Sequence, residues 1–104
     1  MSDADTPDQF RLRLESPAYQ CIPENTRRAL YLYYAHRRKP GGGTIAILSK
    51  KFEAIVMVDD AVYAALREIY RLFHNNAHPR LWGTRERVDM WIAGIEPWPR
   101  DWPD

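Results

Sequence analysis

The sequence predicts a mainly α-helical fold: a compact bundle of three to four helices, preceded by a short extended N-terminal arm or strand. Three observations predict it. Apolar residues recur at helical spacing in the segments Ile45–Ile55, Val62–Phe73 and Val88–Ile95. Capping residues open these segments, namely Thr44, Asp59 or Asp60, and Thr84, and asparagine, proline or glycine closes the last two. Only Phe10 to Glu15 alternates with period two, with Phe10, Leu12 and Leu14 set against Arg11, Arg13 and Glu15.

In chain order, residues 1–21 form the extended arm, 22–95 the helical domain and 96–104 a Trp/Pro-rich tail. The arm either lies along the helices or pairs as a strand with a second subunit. The first helix spans Pro23 to Arg38, with Pro23 in its first turn and Asn25 and Thr26 near its free N–H groups. Arg37, Arg38 and Lys39 fill its last turn, and Pro40-Gly41-Gly42-Gly43 stops it. The second helix runs from Ile45 to Met57, with Ile45, Leu48, Phe52 and Ile55 as its apolar stripe and Lys50, Lys51 and Glu53 outside. Its β-branched content leaves a hairpin around Ser49-Lys50-Lys51 as the rival reading of residues 44–58. The third helix, Ala61 to about Asn75, carries Val62, Leu66, Ile69 and Phe73, backed by Ala65 and Leu72. The fourth reaches about Ala93, with Val88, Trp91, Ile92 and Ile95 inward. Prolines in the tail exclude helix there, and Trp98 and Trp102 either fold back or anchor a partner.

A chain of 104 residues with this apolar content supports one small domain. The net charge of +1 hides an uneven distribution: −2 over residues 1–22, +6 over 23–51 and −3 over 52–104. A basic middle between acidic ends calls for an anionic partner, unless it is only a solvated helix surface. Cys21 is the single cysteine, so no intrachain disulfide forms, which fits a reducing cytoplasm. Met1–Pro7 is polar and acidic, unlike a signal peptide, and no apolar run approaches a membrane span.

The candidate binding residues lie in that basic middle. Arg27, Tyr31, Tyr34 and Arg38 fall at i, i+4, i+7 and i+11 of the first helix. Guanidinium groups grip phosphates in two-pronged fashion, and phenol rings offer stacking faces, so such a stripe suits nucleotides or single strands. The competing reading buries the tyrosines and solvates the arginines; Tyr33, beside Leu30, is the most structural of them. Arg37, Arg38 and Lys39 adjoin Gly42, Gly43 and Thr44, where glycine would let backbone N–H groups approach an anion. No lysine follows at the P-loop position, and a plain helix–helix connection is the alternative. Tyr63, Arg67, Tyr70 and His74 form a second stripe, read either as a contact face or as ordinary surface.

Catalytic and metal readings are weaker. His74 and His78 have ligand spacing, but Pro79 ends the helix and no zinc-protease glutamate accompanies them, so no metal site and no cofactor is assigned. Asp59-Asp60 reads as a helix cap rather than an acid/base couple, and no nucleophile has a placed base. The chain is therefore expected not to be an enzyme.

The run I-P-E-N-T-R-R-A-L-Y-L-Y-Y-A-H-R-R-K-P-G-G resembles the opening of a group of small, mostly uncharacterised tailed-phage accessory proteins. Ile22-Pro23, Thr26, Ala29-Leu30, Tyr33, His36 and Pro40-Gly41-Gly42 carry the likeness, which extends over about residues 22–92. Gly43-Thr44 and Lys50-Lys51 depart from the group's usual apolar pair and Asn-Asp. The resemblance implies a phage accessory product without assigning an activity. The function expected is a non-catalytic binding protein acting in the host cytoplasm, inhibiting or diverting a host component such as a defence system. Expected partners are a host protein or protein–nucleic-acid complex and a nucleotide or nucleic-acid ligand, with a homodimer as a further expectation and no membrane. The alternatives are a nucleic-acid-binding transcriptional regulator, with a helix-turn-helix across Val58-Asp59-Asp60, and a sponge for a nucleotide signal.

Overall fold

The computed structural model describes residues 5–77 and 79–94; the Trp/Pro-rich tail, with Trp98 and Trp102, lies outside them, as do His78 and Ile95. Among the described residues the chain is helical, without strands. It comprises α1 (Pro7–Leu14), α2 (Glu24–His36), α3 (Gly42–Leu48), α4 (Phe52–Ile55), α5 (Asp60–Ala64), α6 (Leu66–Asn76) and α7 (Arg85–Ile92), with 3-10 turns at Pro17–Tyr19 and Pro79–Leu81. The mainly α expectation stands, but two of the expected helices are subdivided and the arm is itself a helix.

The N-terminal segment corrects the reading from alternation. Thr6 caps α1 by accepting from the backbone N–H of Gln9, while the Gln9 side chain accepts from the Thr6 N–H, and Pro7 occupies the first turn. This reciprocal box satisfies two donors that a strand would have left open. Phe10 and Leu14, four residues apart, are buried, whereas Leu12 is 58% exposed. The spacing that matters is i, i+4, not i, i+2.

Helix α2 runs through the middle of the molecule, against α1 and α3. Pro23 sits at its N-cap position, and it ends at His36, with Arg37 in the left-handed region at φ 55°. The Arg38 N–H closes the end onto the Leu32 carbonyl at 3.2 Å. Phe10 of α1 stacks on Tyr34 of α2 with ring centroids 3.8 Å apart, and Phe73 of α6 meets both edge-on at 5.5 and 6.4 Å. The Tyr34 hydroxyl donates to the Asp5 carbonyl at 2.7 Å and lies 3.3 Å from that of Asn76. Asp5 in turn donates its backbone N–H to Asn76 at 2.7 Å and holds Arg13 through two bonds of 2.7 and 3.0 Å. The start of α1 and the end of α6 are thus tied to one phenol.

The segment expected as one helix from Ile45 to Met57 is two. Residues Ile45 to Leu48 are all buried, so α3 is packed on every side and cannot continue as a half-exposed rod. Its N-cap is Gly41, not Thr44, which lies inside the helix. It ends when Lys50 takes φ 58°, the Lys51 N–H reaching back to Ala46 at 2.9 Å and the Lys50 N–H to Ile47 at 3.1 Å. The chain then re-enters α4 with Ile55 buried but Phe52 68% exposed, so Phe52 leaves the core stripe assigned to it. The rival hairpin is not formed. The third expected helix also divides, at the buried Ala65, into α5, capped by Asp59, and α6. The fourth is found as expected, with Thr84 accepting from the Arg87 N–H.

Truncating Phe10 to alanine should cost about 3–5 kcal/mol, whereas Leu12→Ala should stay within about 0.5 kcal/mol. Urea unfolding of the two variants measures both. Equal losses would instead match the alternating arm.

Candidate functional site

The basic stripe expected on the first helix is not one surface. Tyr34 is completely buried, as is Tyr33. The Tyr33 hydroxyl donates to the Leu81 carbonyl, and its own carbonyl accepts from the Trp91 indole N–H at 2.6 Å. Burial drives both phenols well above their usual pKa, so they are uncharged packing groups rather than free stacking platforms. Tyr34 is therefore removed from the binding set. Arg37 is also committed: its guanidinium lies 3.9 Å from the Trp91 ring centroid, with Nη1 donating to the Trp91 carbonyl at 3.3 Å.

The remaining members fall into two places. Arg27 and half-buried Tyr31 line a small cavity of about 190 Å³ together with Arg11, Arg28, Glu15 and Glu24. Cations and carboxylates alternate there, which weakens any pull on an anion. Arg27 further spends its Nε–H on the Ile22 carbonyl at 2.9 Å. Arg38 and Lys39 are exposed beside Gly41, Gly42 and Gly43 at the α2–α3 corner. A Cβ on Gly42 would meet nothing within 4 Å, but one on Gly43 would come within 3.2 Å of Val58 Cγ1. Gly43 is accordingly explained by close passage of the 58 segment, and Thr44 by its place within α3.

A different surface gathers cations and rings. Lys50, Phe52, Arg67, Tyr70, Arg71, His74, Asn75 and Trp82 line a groove of about 550 Å³. Three side chains are permanent cations at neutral pH, three are aromatic, and no carboxylate is among the lining residues. Arg67, Arg71 and His74 are exposed, and none of the ion pairs among the described residues involves Lys50, Arg67 or Arg71. The groove therefore presents unneutralised positive charge over apolar walls, a setting in which an anion with a flat apolar part gains on both counts.

Local folding places each wall. The break after Leu48 turns Lys50 back so that its ammonium sits 5.0 Å from the Trp82 ring centroid. Trp82 is anchored by its neighbour, since the Gly83 N–H donates to the Leu48 carbonyl at 2.7 Å. Gly83 has φ 106°, a conformation open to glycine but strained for other residues. Tyr70 stacks beside Trp82 at 6.1 Å, and its hydroxyl donates to the Ile47 carbonyl at 2.7 Å. Burial raises the Tyr70 pKa to about 12. The second sequence stripe is thereby partly realised: Arg67, Tyr70 and His74 share the groove, while Tyr63 stands on α5, before the break. Lys50, Phe52, Arg71 and Trp82 were not anticipated as site residues. The sequence signals Lys50 only through the hairpin reading, which places a turn at Ser49-Lys50-Lys51. No group of three or more His, Cys, Asp or Glu side chains among the described residues could hold a metal ion, and no helix there is long and apolar enough to cross a membrane.

Compared with family models, with curated proteins and with solved structures, the chain matches none.

The buried phenols make stability sensitive to alkali. Tyr70 stays protonated in the fold to about pH 12, against a usual phenol value of 10.0, so the unfolded chain releases its proton first. This contribution is complete below pH 10 and is lost as pH rises through about 12. Thermal unfolding followed by circular dichroism should show Tm falling over that interval, and Tyr70→Phe should make the fall shallower. A Tm that is flat there would contradict the burial of these rings.

Proposed function

We propose that this is a non-catalytic binding protein whose groove beside α6 captures an anionic ligand bearing a flat ring, the chemistry of a nucleotide. One observation carries this reading: Lys50, Arg67 and Arg71 converge with Phe52, Tyr70 and Trp82 around a single groove that no carboxylate lines. Guanidinium groups suit phosphate oxygens, and aromatic walls suit bases. The volume of about 550 Å³ falls in the range of small-ligand sites.

The proposal moves the anionic contact away from the α2 stripe, where Tyr34 and Arg37 are used internally, and onto α6. Its setting comes from the likeness of the 22–42 region to tailed-phage accessory proteins. There, a protein that holds a nucleotide, or a nucleic acid presented by a host complex, would withdraw it from a host system such as defence. Capture by sequestration is favoured over transcriptional regulation by helix-turn-helix. The helices that flank Val58-Asp59-Asp60 are α4, of four residues, and α5, of five, too short for the paired helices of such a motif.

Isothermal titration with ATP, an oligothymidylate and tripolyphosphate tests the reading, alongside an Arg67→Glu/Arg71→Glu double variant. Both arginines are exposed and make no hydrogen bond or ion pair among the described residues, so the variant should keep its helical spectrum. Wild type should bind at least one of the three probes at low salt, and the variant should lose thirtyfold or more in affinity, the scale of about 2 kcal/mol from charge-assisted contacts. Undiminished binding by the folded variant, or no binding by wild type, would remove the groove from consideration.

A further inference from the structure

We infer that the ligand of the α6 groove is a short single strand of nucleic acid, laid with successive phosphates along Arg67, Arg71 and His74 and with a base on Phe52. The inference rests on the anionic-ligand reading and narrows it.

The first support is the spacing of the cations. Arg67, Arg71 and His74 stand at i, i+4 and i+7 on the regular helix α6 (Leu66–Asn76), and all three line the groove. At 1.5 Å of rise per residue they are separated by about 6 and about 4.5 Å along the axis, a row about 10 Å long. Phosphates within a pyrophosphate or triphosphate share a bridging oxygen and crowd around one or two cations. Phosphates along a stretched strand are separated by a whole sugar and follow a row. The arrangement on α6 is a row. His74 at its end is exposed, and its ring N–H can donate to a phosphate oxygen.

The second support is the state of the rings. Trp82 is only 8% exposed, with Lys50 over one face and Tyr70 beside it. Tyr70 is half-buried and fixed by its bond to Ile47. These two form the groove floor and have little free face. Phe52 is 68% exposed at the rim, on a four-residue helix that buries only Ile55. A phenylalanine held in solvent beside a row of cations provides the free π-face that single-strand proteins use for stacking, and such stacking tolerates any base. Asn75, also lining the groove, carries an amide able both to donate to and accept from a base edge. The groove volume admits one or two nucleotides at a time, with the strand continuing along α6 on either side.

Fluorescence anisotropy with labelled oligothymidylates of two, four and six nucleotides provides the test, with ATP, tripolyphosphate and a hairpin duplex as competitors. Affinity should rise from dinucleotide to tetranucleotide and then level off. Phe52→Ala should weaken the tetranucleotide about tenfold, within the range for loss of one stacked base, and leave tripolyphosphate unchanged. The salt slope should be about −1.4 for the two phosphates held by Arg67 and Arg71 and no steeper than about −0.7 in Arg71→Glu. ATP bound as tightly as the tetranucleotide, a preference for duplex, or indifference to Phe52→Ala would overturn the single strand while leaving an anionic ligand in place. Failure of every anionic probe would remove both. Phe52 and Arg71 are exposed, so neither substitution opens a core cavity, and an unchanged circular dichroism spectrum confirms that each variant is folded.

Discussion

Two neighbouring phenols on α2 must be buried and yet must satisfy their hydroxyls, and the remaining elements are arranged around that requirement. Tyr33 and Tyr34 differ by about 100° around the helix, so they point to different parts of the molecule. Tyr33 donates to Leu81 and receives the indole of Trp91, which brings in α7 and the 79–81 turn. Tyr34 reaches Asp5 and Asn76 and stacks on Phe10, which brings in the start of α1 and the end of α6. A buried hydroxyl without a partner costs on the order of 1–3 kcal/mol, so these carbonyls have to arrive where the phenols end. The helices are too short to be stable alone; the shared phenols make their formation mutually dependent.

A second constraint is how the chain turns. Arg37 and Lys50 are the non-glycine residues with positive φ among the described positions, and each follows a helix that stops abruptly. The left-handed conformation disfavours a side chain with a β-carbon by about 1–2 kcal/mol. Each of the two lays its cation on a tryptophan, Arg37 on Trp91 and Lys50 on Trp82, and a cation over an indole offsets strain of that order. The two clasps have different outcomes. At Arg37 the cation also bonds the Trp91 carbonyl and is absorbed into the fold. At Lys50 the ammonium remains exposed on the wall of the groove. Structural strain and the candidate site therefore meet at one residue.

Charge crowding along the sequence proved to be a poor guide to charge crowding in space. The densest basic run, Arg37-Arg38-Lys39, is split between an internal clasp and an open corner, and Arg27 shares its cavity with Glu15 and Glu24. The groove instead combines Lys50 with Arg67 and Arg71, drawn from the basic middle and from a segment whose net charge is negative. The stripe Arg67, Tyr70, His74 was legible because it lies on one uninterrupted helix with fixed periodicity. Tyr63 fell away because the helix breaks at Ala65, where no glycine or proline marks the break.

The sequence by itself determined the helical class, the existence of the α2, α6 and α7 segments, the cap at Thr84, and the burial of Ile69, Leu72, Phe73, Val88 and Trp91. These follow from local periodicity and capping chemistry, which act within a few residues. Tertiary structure decided that Phe10 and Leu14 face inward from a helix, that Tyr34 is core, that residues 45–57 break at Lys50 and that Phe52 is left outside. Each of those outcomes depends on a partner distant in the chain: Phe73 for Phe10, Asp5 and Asn76 for Tyr34, Trp82 for Lys50. Local spacing states which residues share a face; only packing against the rest of the chain decides whether that face is buried, broken or left open to a ligand.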